Sequence, residues 1–261
     1  MKNISQKAKP ICVSILVLIF AITVITVNPL SVQAATASKA GTSKVTLAQG
    51  TRYATDLYII ESGKPGPVVM IVGGIHGNET AGYTAATKIS QWKIDKGTLL
   101  VLPKANKLAV DKKVRYLSSV GDLNRDFPQS SKEGADTILA RAIWSAVKKY
   151  DVDWLMDMHE GYDYSKNSST SSVGQSLIYY PDKTKSTVSV IVKTLNNSIS
   201  TSYKKFSLFQ YPVKGSLARA AGQYLGVRSF IFETCDNPSL SIRVNYQLKA
   251  GKTLLQQLDM M

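Results

Sequence analysis

The sequence predicts an α/β fold, a single domain whose mainly parallel sheet is covered by helices on both faces. Short apolar runs rich in β-branched residues, such as residues 68–72, alternate along the chain with stretches of helical periodicity, such as residues 136–150. This alternation is typical of a parallel sheet with crossover helices. The chain of 261 residues is also long enough for one such domain to bury a sizeable core.

The individual elements follow from residue type and spacing. Strands are predicted where short apolar runs lie between turn residues, and helices where apolar residues recur every three or four positions. The expected strands are residues 68–72, 98–102, 152–158 and 227–232, preceded by one or two strands between residues 45 and 60. The expected helices are residues 79–92, 136–150, 186–202, 216–224 and 243–258. The turn residues at 63–67 and the Ser-rich stretch 165–176 predict loops.

Three segments divide the chain. Residues 1–34 have a lysine-rich start, an apolar run and a small-residue cleavage pattern, which together predict a secretory signal peptide cut after Ala34. The alternative is an uncleaved anchor, because the apolar run approaches the length of a short membrane span. Residues 35–56 are predicted to form an N-terminal arm and residues 57–261 the main domain. We therefore expect a secreted or cell-wall-associated protein.

The composition bounds the classes of partner. The formal net charge is +14, and it falls to +11 without residues 1–34, which hold three lysines and no acids. A basic exported protein can be held near an anionic cell wall, although the charge can equally serve solubility alone. Nucleic-acid binding is not indicated, because the lysines are scattered and no nucleic-acid motif is present. Only Cys235 lies outside the signal segment, so that no intramolecular disulfide is expected there. We expect a monomer.

Both histidines of the chain lie in contexts typical of metal ligands. His76 stands three residues before Glu79, and His159 follows a later strand. Two imidazoles and one carboxylate are the ligand set of a catalytic zinc, which keeps a fourth position open. Alternatively, the glycines before His76 are a plain strand exit and Glu79 an ordinary acid in the first turn of a helix. The position of His159 at the end of another strand favours one zinc ion per chain.

Two carboxylates are candidates to assist such a site. Asp157 lies two residues before His159 and therefore on the same face of the strand, where it can orient the imidazole. Glu233 ends a buried strand, and a carboxylate there needs a partner or a chemical role. It can accept a proton from the attacking water and pass it to a leaving nitrogen, or it can be a salt-bridged or capping residue. Glu160 is expected to face away, and Cys235 to serve packing.

His159 and Glu233 are predicted to meet His76 at one rim of the sheet. Each of the three follows a predicted strand, and the carboxyl ends of parallel strands gather the ligands of open α/β sheets. Substrate binding is suggested by Arg115, Asn124 and Arg125. A guanidinium can bind a substrate carboxylate through two hydrogen bonds, and a second arginine can stabilise the oxyanion that forms as water attacks the carbonyl. The alternative is that they are ordinary surface residues.

Five motifs in this order resemble the zinc carboxypeptidase superfamily, and within it the succinylglutamate desuccinylase and aspartoacylase family. They are His-Gly-Asn-Glu79, Arg115-Tyr116, Asp122-Leu-Asn-Arg125-Asp-Phe127, Asp157-Met-His159 and Phe232-Glu233. The resemblance implies a central mixed sheet of about eight strands. The implied roles are zinc ligation by His76, Glu79 and His159, acid–base catalysis by Glu233, carbonyl polarisation by Arg115, and binding of a substrate carboxylate by Asn124 and Arg125.

Two departures from that family bear on the substrate. Its deacylases carry a further domain after the catalytic glutamate, whereas only 28 residues follow Glu233 here, and they are largely intracellular. We therefore expect a secreted zinc hydrolase that cleaves an amide beside a free carboxylate, a carboxypeptidase acting on peptides or cell-wall stem peptides. The alternatives are an N-acyl amino acid deacylase or an esterase with the same site, and a non-catalytic wall-binding protein.

Overall fold

A computed structural model describes residues 39–261, so the predicted signal peptide at 1–34 lies outside the described residues. The strands are β1 (Gly41–Leu47), β2 (Thr55–Glu61), β3 (Val68–Gly73), β4 (Thr98–Leu102), β5 (Trp154–Gly161), β6 (Ser176–Tyr180), β7 (Ser207–Gln210) and β8 (Arg228–Cys235). The helices are α1 (Thr80–Ile89), α2 (Lys107–Lys112), α3 (Ile138–Lys149), α4 (Lys185–Asn196), α5 (Leu217–Leu225) and α6 (Leu240–Gln257). None of the helices in residues 39–261 is long and apolar enough to cross a membrane.

The eight strands form one mixed sheet in the order β1-β2-β4-β3-β5-β8-β6-β7. The four central strands, β4, β3, β5 and β8, run parallel to one another. The antiparallel strands β1 and β2 extend one edge, and β6 with β7 extends the other. The predicted α/β class with a mostly parallel mixed sheet is therefore confirmed.

The core lies on both faces of the sheet, as strand β3 illustrates. Val69 and Ile71 pack on one face with buried residues of α1, α4 and α6. Met70 and Val72 pack on the other face with residues of α3 and α5. Successive strand residues point to opposite faces, so that a strand covered on both sides must be apolar throughout. This explains why β3 reads as a continuous apolar run.

Several boundaries differ from the sequence prediction. Residues 41–47, assigned to the N-terminal arm, pair with β2 as an edge strand of the sheet. The short strands β6 and β7 were not predicted, and the helix expected to reach residue 202 ends at Asn196. The Asn196 side chain bonds the backbone N–H and carbonyl of Phe206 instead, at 2.7 and 3.0 Å, which ties the end of α4 to the loop before β7.

The two strands that lead to the site are longer than predicted. β5 continues to Gly161 and β8 to Cys235. His159 and Glu233 therefore lie within the last residues of their strands instead of beyond them. Since they belong to hydrogen-bonded strands, their positions are fixed by the sheet itself.

Candidate metal centre

The predicted ligands meet at the carboxyl ends of the central parallel strands. His76 lies in the turn after β3, Glu79 directly precedes α1, and His159 lies near the end of β5. The turn packs so tightly on α2 that a Cβ on Gly77 would lie 2.0 Å from the Ala109 carbonyl carbon. The chain thus needs glycine at residue 77 to bring His76 and Glu79 to this rim.

The three side chains converge on one point. His76 Nδ1 lies 2.7 Å from Glu79 Oε1, and His159 Nδ1 lies 2.8 Å from Glu79 Oε2. The two Nδ1 atoms are 3.2 Å apart, and one ligand atom from each residue lies within 4.8 Å of the others. All three residues are buried. Two imidazole nitrogens and a carboxylate in this arrangement can hold a metal ion.

A carboxylate stands behind each imidazole. His76 Nε2 lies 2.8 Å from Asp122 Oδ1. His159 Nε2 lies 3.1 Å from Asp157 Oδ2, although the two are not aligned as a hydrogen bond and Asp157 is fully buried without another partner in the described residues. Such carboxylates fix the tautomer and ring orientation of a metal-bound histidine. The expected contact of Asp157 with an imidazole is present, and the matching role of Asp122 was missed.

The donor set fits a cation. If the ring protons are on the Nε2 atoms, which lie beside Asp122 and Asp157, the Nδ1 atoms of His76 and His159 carry lone pairs that face each other and the Glu79 carboxylate. Three acceptors at this separation repel one another unless a proton or a metal ion lies between them. Zinc favours imidazole nitrogen and carboxylate oxygen, so these residues suit it.

The same crowding shifts the acidities of the ligands. Burial lowers the pKa of His76 and of His159, but the facing carboxylates outweigh it and leave both values raised. Burial raises the pKa of the Glu79 carboxyl, but the imidazoles of His159 and His76 outweigh it and hold this pKa well below its usual range. Both shifts show that the Glu79 carboxylate attracts positive charge to this point.

Glu233 lies beside the ligand cluster, and its pKa is shifted in the direction opposite to that of Glu79. It occupies the register position opposite His159 in the β5–β8 ladder and is 8% exposed. Burial raises its pKa to about 8, and the neighbouring His159 opposes the rise. A carboxyl that titrates near neutral pH can both accept and donate a proton there.

Arg115 contacts a ligand directly. Its Nη1 donates to Glu79 Oε1 at 2.9 Å, and its Nη2 lies 3.7 Å from Asp122 Oδ2. The side chain is 45% exposed, so the guanidinium also faces the cavity. The sequence placed Arg115 at the site but did not foresee its ion pair with Glu79.

Asn124 and Arg125 form a single 3-10 turn, Leu123–Arg125, that begins at Asp122. The Asp122 carboxylate that contacts His76 also accepts the N–H of Asn124, at 2.9 Å, so one side chain ties this turn to the metal site. Arg125 is exposed, bonds the Asn124 carbonyl, and forms no ion pair within residues 39–261.

One open cavity of about 590 Å³ is lined by these groups, except for Asp122 and Asp157, which lie behind its wall. Its walls carry His76, Glu79, Arg115, Asn124, Arg125, His159 and Glu233. The structure thus brings together every predicted ligand, catalytic and substrate-binding residue, while their chemical roles stay predictions. The Glu160 carboxylate does not contact the imidazoles, as expected: it bonds Arg243, and both residues also lie on the cavity wall.

Comparisons with known proteins agree with this geometry. Residues 65–186 match the model of the succinylglutamate desuccinylase/aspartoacylase catalytic domain. The predicted resemblance is confirmed. The matched segment includes all the predicted site residues except Glu233, which the β5–β8 register places opposite His159. No curated protein is significantly similar to this sequence.

Solved structures share the fold. Apo Csd4, a cell shape determinant protein from Helicobacter pylori, superposes with a TM-score of 0.67 at 22% identity, over 78% of this chain and 55% of that chain. The ectoine utilization protein EutE from Ruegeria pomeroyi gives 0.64 at 16% identity, over 86% and 69%. A succinylglutamate desuccinylase/aspartoacylase from Rhodobacter sphaeroides gives 0.60 at 16% identity, over 85% and 66%. This chain thus spans little more than half the length of Csd4.

Proposed function

We propose that this protein is a zinc-dependent hydrolase that cleaves an amide bond beside a free carboxylate, and that it acts as a carboxypeptidase on peptide ends. The observation that carries the proposal is the convergence of His76, Glu79 and His159 with Glu233 in one open cavity. Zinc, when bound by these three ligands, would polarise the substrate carbonyl and increase the acidity of a water.

The surrounding residues have distinct tasks. Arg125, which has no acidic partner in residues 39–261, and Asn124 bind the terminal carboxylate of the substrate. Arg115 stabilises the charge that develops on the carbonyl oxygen. The Glu233 carboxylate accepts a proton from the attacking water and delivers it to the nitrogen that leaves.

Two observations favour a peptide substrate. The cavity opens to solvent, since the exposed side chains Arg125 and Tyr162 lie on its wall, and an open site admits a chain end. Among the related structures, Csd4 has been described as a D,L-carboxypeptidase and in mDAP-bound and tripeptide-bound forms. We therefore propose cell-wall stem peptides as the substrate class. This substrate agrees with the signal peptide predicted at residues 1–34, and we propose a secreted or wall-associated enzyme.

The second candidate is an exported N-acyl amino acid deacylase or an esterase. It is favoured by the family of the matched domain, which is defined by a desuccinylase and an aspartoacylase. The same zinc ligands, Glu233 and carboxylate-binding residues serve either reaction, because only the acyl group differs. A non-catalytic wall-binding protein is the alternative outside enzymes, and its support is the basic charge alone.

Mass spectrometry of substrate mixtures tests the proposal. Residues 35–261, loaded with zinc, are incubated with muropeptides and N-acyl amino acids, with and without a chelator. We expect chelator-sensitive loss of a terminal residue from a stem peptide. Cleavage of the acyl amino acids alone would instead make the protein a deacylase.

Two glutamate variants complete this test. Glu233→Gln should lose activity and keep bound zinc, whereas Glu133→Gln, at an exposed glutamate outside the cavity, should retain full activity. If wild type and Glu233→Gln bind walls equally and neither cleaves any substrate, the protein is a binding protein and the proposed function is wrong.

A further inference from the structure

Behind the ligand cluster lies a second group of polar side chains, Glu160, Thr234, Arg243 and Gln247, which we call the rear brace. We propose that the rear brace positions the metal ligands Glu79 and His159. The inference rests on the proposed function, since it concerns the affinity of the same site for zinc. Glu160 and Arg243 also lie on the wall of the cavity, but their side chains bond each other. We therefore assign the four members as positioning residues that act through the ligands.

The sheet register places two members of the brace. In the β5–β8 ladder, His159 pairs with Glu233, and the next pair is Glu160 with Thr234. Successive residues of a strand point to opposite faces, so that Glu160 and Thr234 face away from the ligands. Thr234 Oγ1 donates to Glu160 Oε1 at 3.1 Å, which links the two strands directly behind the site.

Glu160 is connected to Glu79 in two ways. Its backbone N–H donates to Glu79 Oε2 at 3.2 Å, and its own carboxylate accepts the N–H of Ala81 at 2.8 Å. Glu79 occupies the N-cap position of α1 but does not cap it, because its carboxylate is turned toward the imidazoles. Glu160 supplies the missing cap from another element. It thereby fixes the first turn of α1, and with it the direction in which Glu79 points.

Helix α6 supplies the other two members. Arg243 and Gln247 are four residues apart and lie on the same face of the helix. Arg243 Nη1 lies 2.5 Å from Glu160 Oε1, and Gln247 Nε2 donates to the carbonyl of His159 at 2.9 Å. Gln247 is fully buried and the Glu160 side chain is 2% exposed, so that loss of either partner leaves a polar group without water.

The brace therefore connects α6 to the backbone of one ligand and to the helix start beside the other. Zinc binding requires that the ligand atoms already lie close to coordinating positions. Removal of groups that orient metal ligands commonly weakens metal affinity by about ten- to a hundredfold. We expect losses of this size when the Glu160 carboxylate is removed.

The test measures zinc affinity by competition with a chromophoric chelator, together with the visible spectrum of the cobalt-substituted protein. Glu160→Ala should weaken zinc binding by about ten- to a hundredfold and alter the cobalt spectrum. Glu160→Gln should restore part of the affinity, since its amide carbonyl can still accept the N–H of Ala81. Thr234→Val keeps the side-chain volume and removes one link, so it should weaken binding less, and it decides the question if Glu160→Ala does not fold.

Ser229→Ala is the matched control. Ser229 is also fully buried on β8, and its hydroxyl bonds the carbonyls of Ala218 and Tyr180 at 2.6 and 3.0 Å, outside the brace. The Ser229→Ala variant should be less stable than wild type but keep the zinc affinity and the cobalt spectrum of wild type. The inference is wrong if the brace variants bind zinc as tightly as wild type, or if Ser229→Ala weakens binding equally. A wild type that binds no zinc would instead overturn the proposed metal site.

Discussion

At the scale of single residues, the candidate site depends on a few charges placed where water is excluded. The Glu79 carboxylate contacts both imidazoles and Arg115, and each contact favours its ionised form. Glu233 lies in the same cavity, yet burial raises its pKa. Two carboxyls with opposite shifts suit the different tasks proposed for them, a ligand that remains charged for Glu79 and proton exchange for Glu233.

Removal of one ligand tests the metal assignment. His76→Ala should lose bound zinc and activity, because two protein ligands hold a catalytic zinc far more weakly than three. Zinc content by elemental mass spectrometry and the fold by circular dichroism measure the two effects separately. Stoichiometric zinc in a folded His76→Ala protein would contradict the assignment.

Asp122 was not predicted as part of the site, and it offers a second test at this scale. Its carboxylate bonds His76 Nε2. Burial raises the pKa of this carboxyl, but the hydrogen bond and charge of His76, the N–H of Asn124 and the charge of Arg115 together outweigh burial and lower the pKa to about 2. Asp122→Asn should weaken zinc affinity by about ten- to a hundredfold without removing a ligand. A competition assay with a chelator measures this, and Asp111→Asn, at a surface ion pair of α2, should bind zinc normally.

At the scale of elements, the sheet and the helix starts bring the ligands together. β5 and β8 carry His159 and Glu233 to adjacent register positions. The turn between β3 and α1 carries His76 and Glu79, and it fits against the backbone of α2. Elements that are distant in sequence therefore set distances that must be accurate within a few tenths of an ångström.

The fit of the β3–α1 turn on α2 predicts the effect of one added methyl group. Gly77→Ala would place a Cβ 2.0 Å from the Ala109 carbonyl carbon, so the turn must move. We expect a loss of about 1–3 kcal/mol in the free energy of unfolding together with weaker zinc binding. Urea denaturation and zinc titration measure these effects. Gly134→Ala is the control, because a Cβ there meets nothing within 4 Å, and equal losses in both variants would contradict the explanation.

At the scale of the whole molecule, the two packed faces of the sheet support a rim rich in buried charge. Helices α1, α4 and α6 cover one face, and α3 and α5 cover the other. This core must offset the cost of burying the Glu79, Glu233 and Asp157 carboxyls. The stability of the metal-free protein should therefore depend on pH more strongly than that of the zinc-bound protein.

The raised pKa of Glu233 determines whether the stability of the metal-free protein rises or falls with pH. Its pKa is about 8 in the folded protein against an ordinary value of 4.5, so between these values the folded state binds more protons than the unfolded state. Stability from this group is present below about pH 4.5 and is lost as pH rises toward 8. Thermal melts of metal-free protein should fall across this range, and Glu233→Gln should flatten the fall. An identical slope in the variant would show that Glu233 does not titrate there.

Much of the fold was predictable because its signals are local. Continuous apolar runs identified β3, β4, β5 and β8, and helical periodicity identified α3. The edge strand β7 escaped prediction, since its half-exposed residues lack a strong apolar pattern and its pairing is with a distant segment.

The sequence alone predicted which residue types meet at the candidate site: two imidazoles and a carboxylate near strand ends, with a glutamate and arginines beside them. Only the tertiary structure decided which atoms meet. The contacts of Asp122 with His76, of Arg115 with Glu79 and of the rear brace with His159 join residues 46, 36 and 88 positions apart. The physical reason is that such contacts depend on strand register and on helix packing across the sheet, which local propensity does not encode.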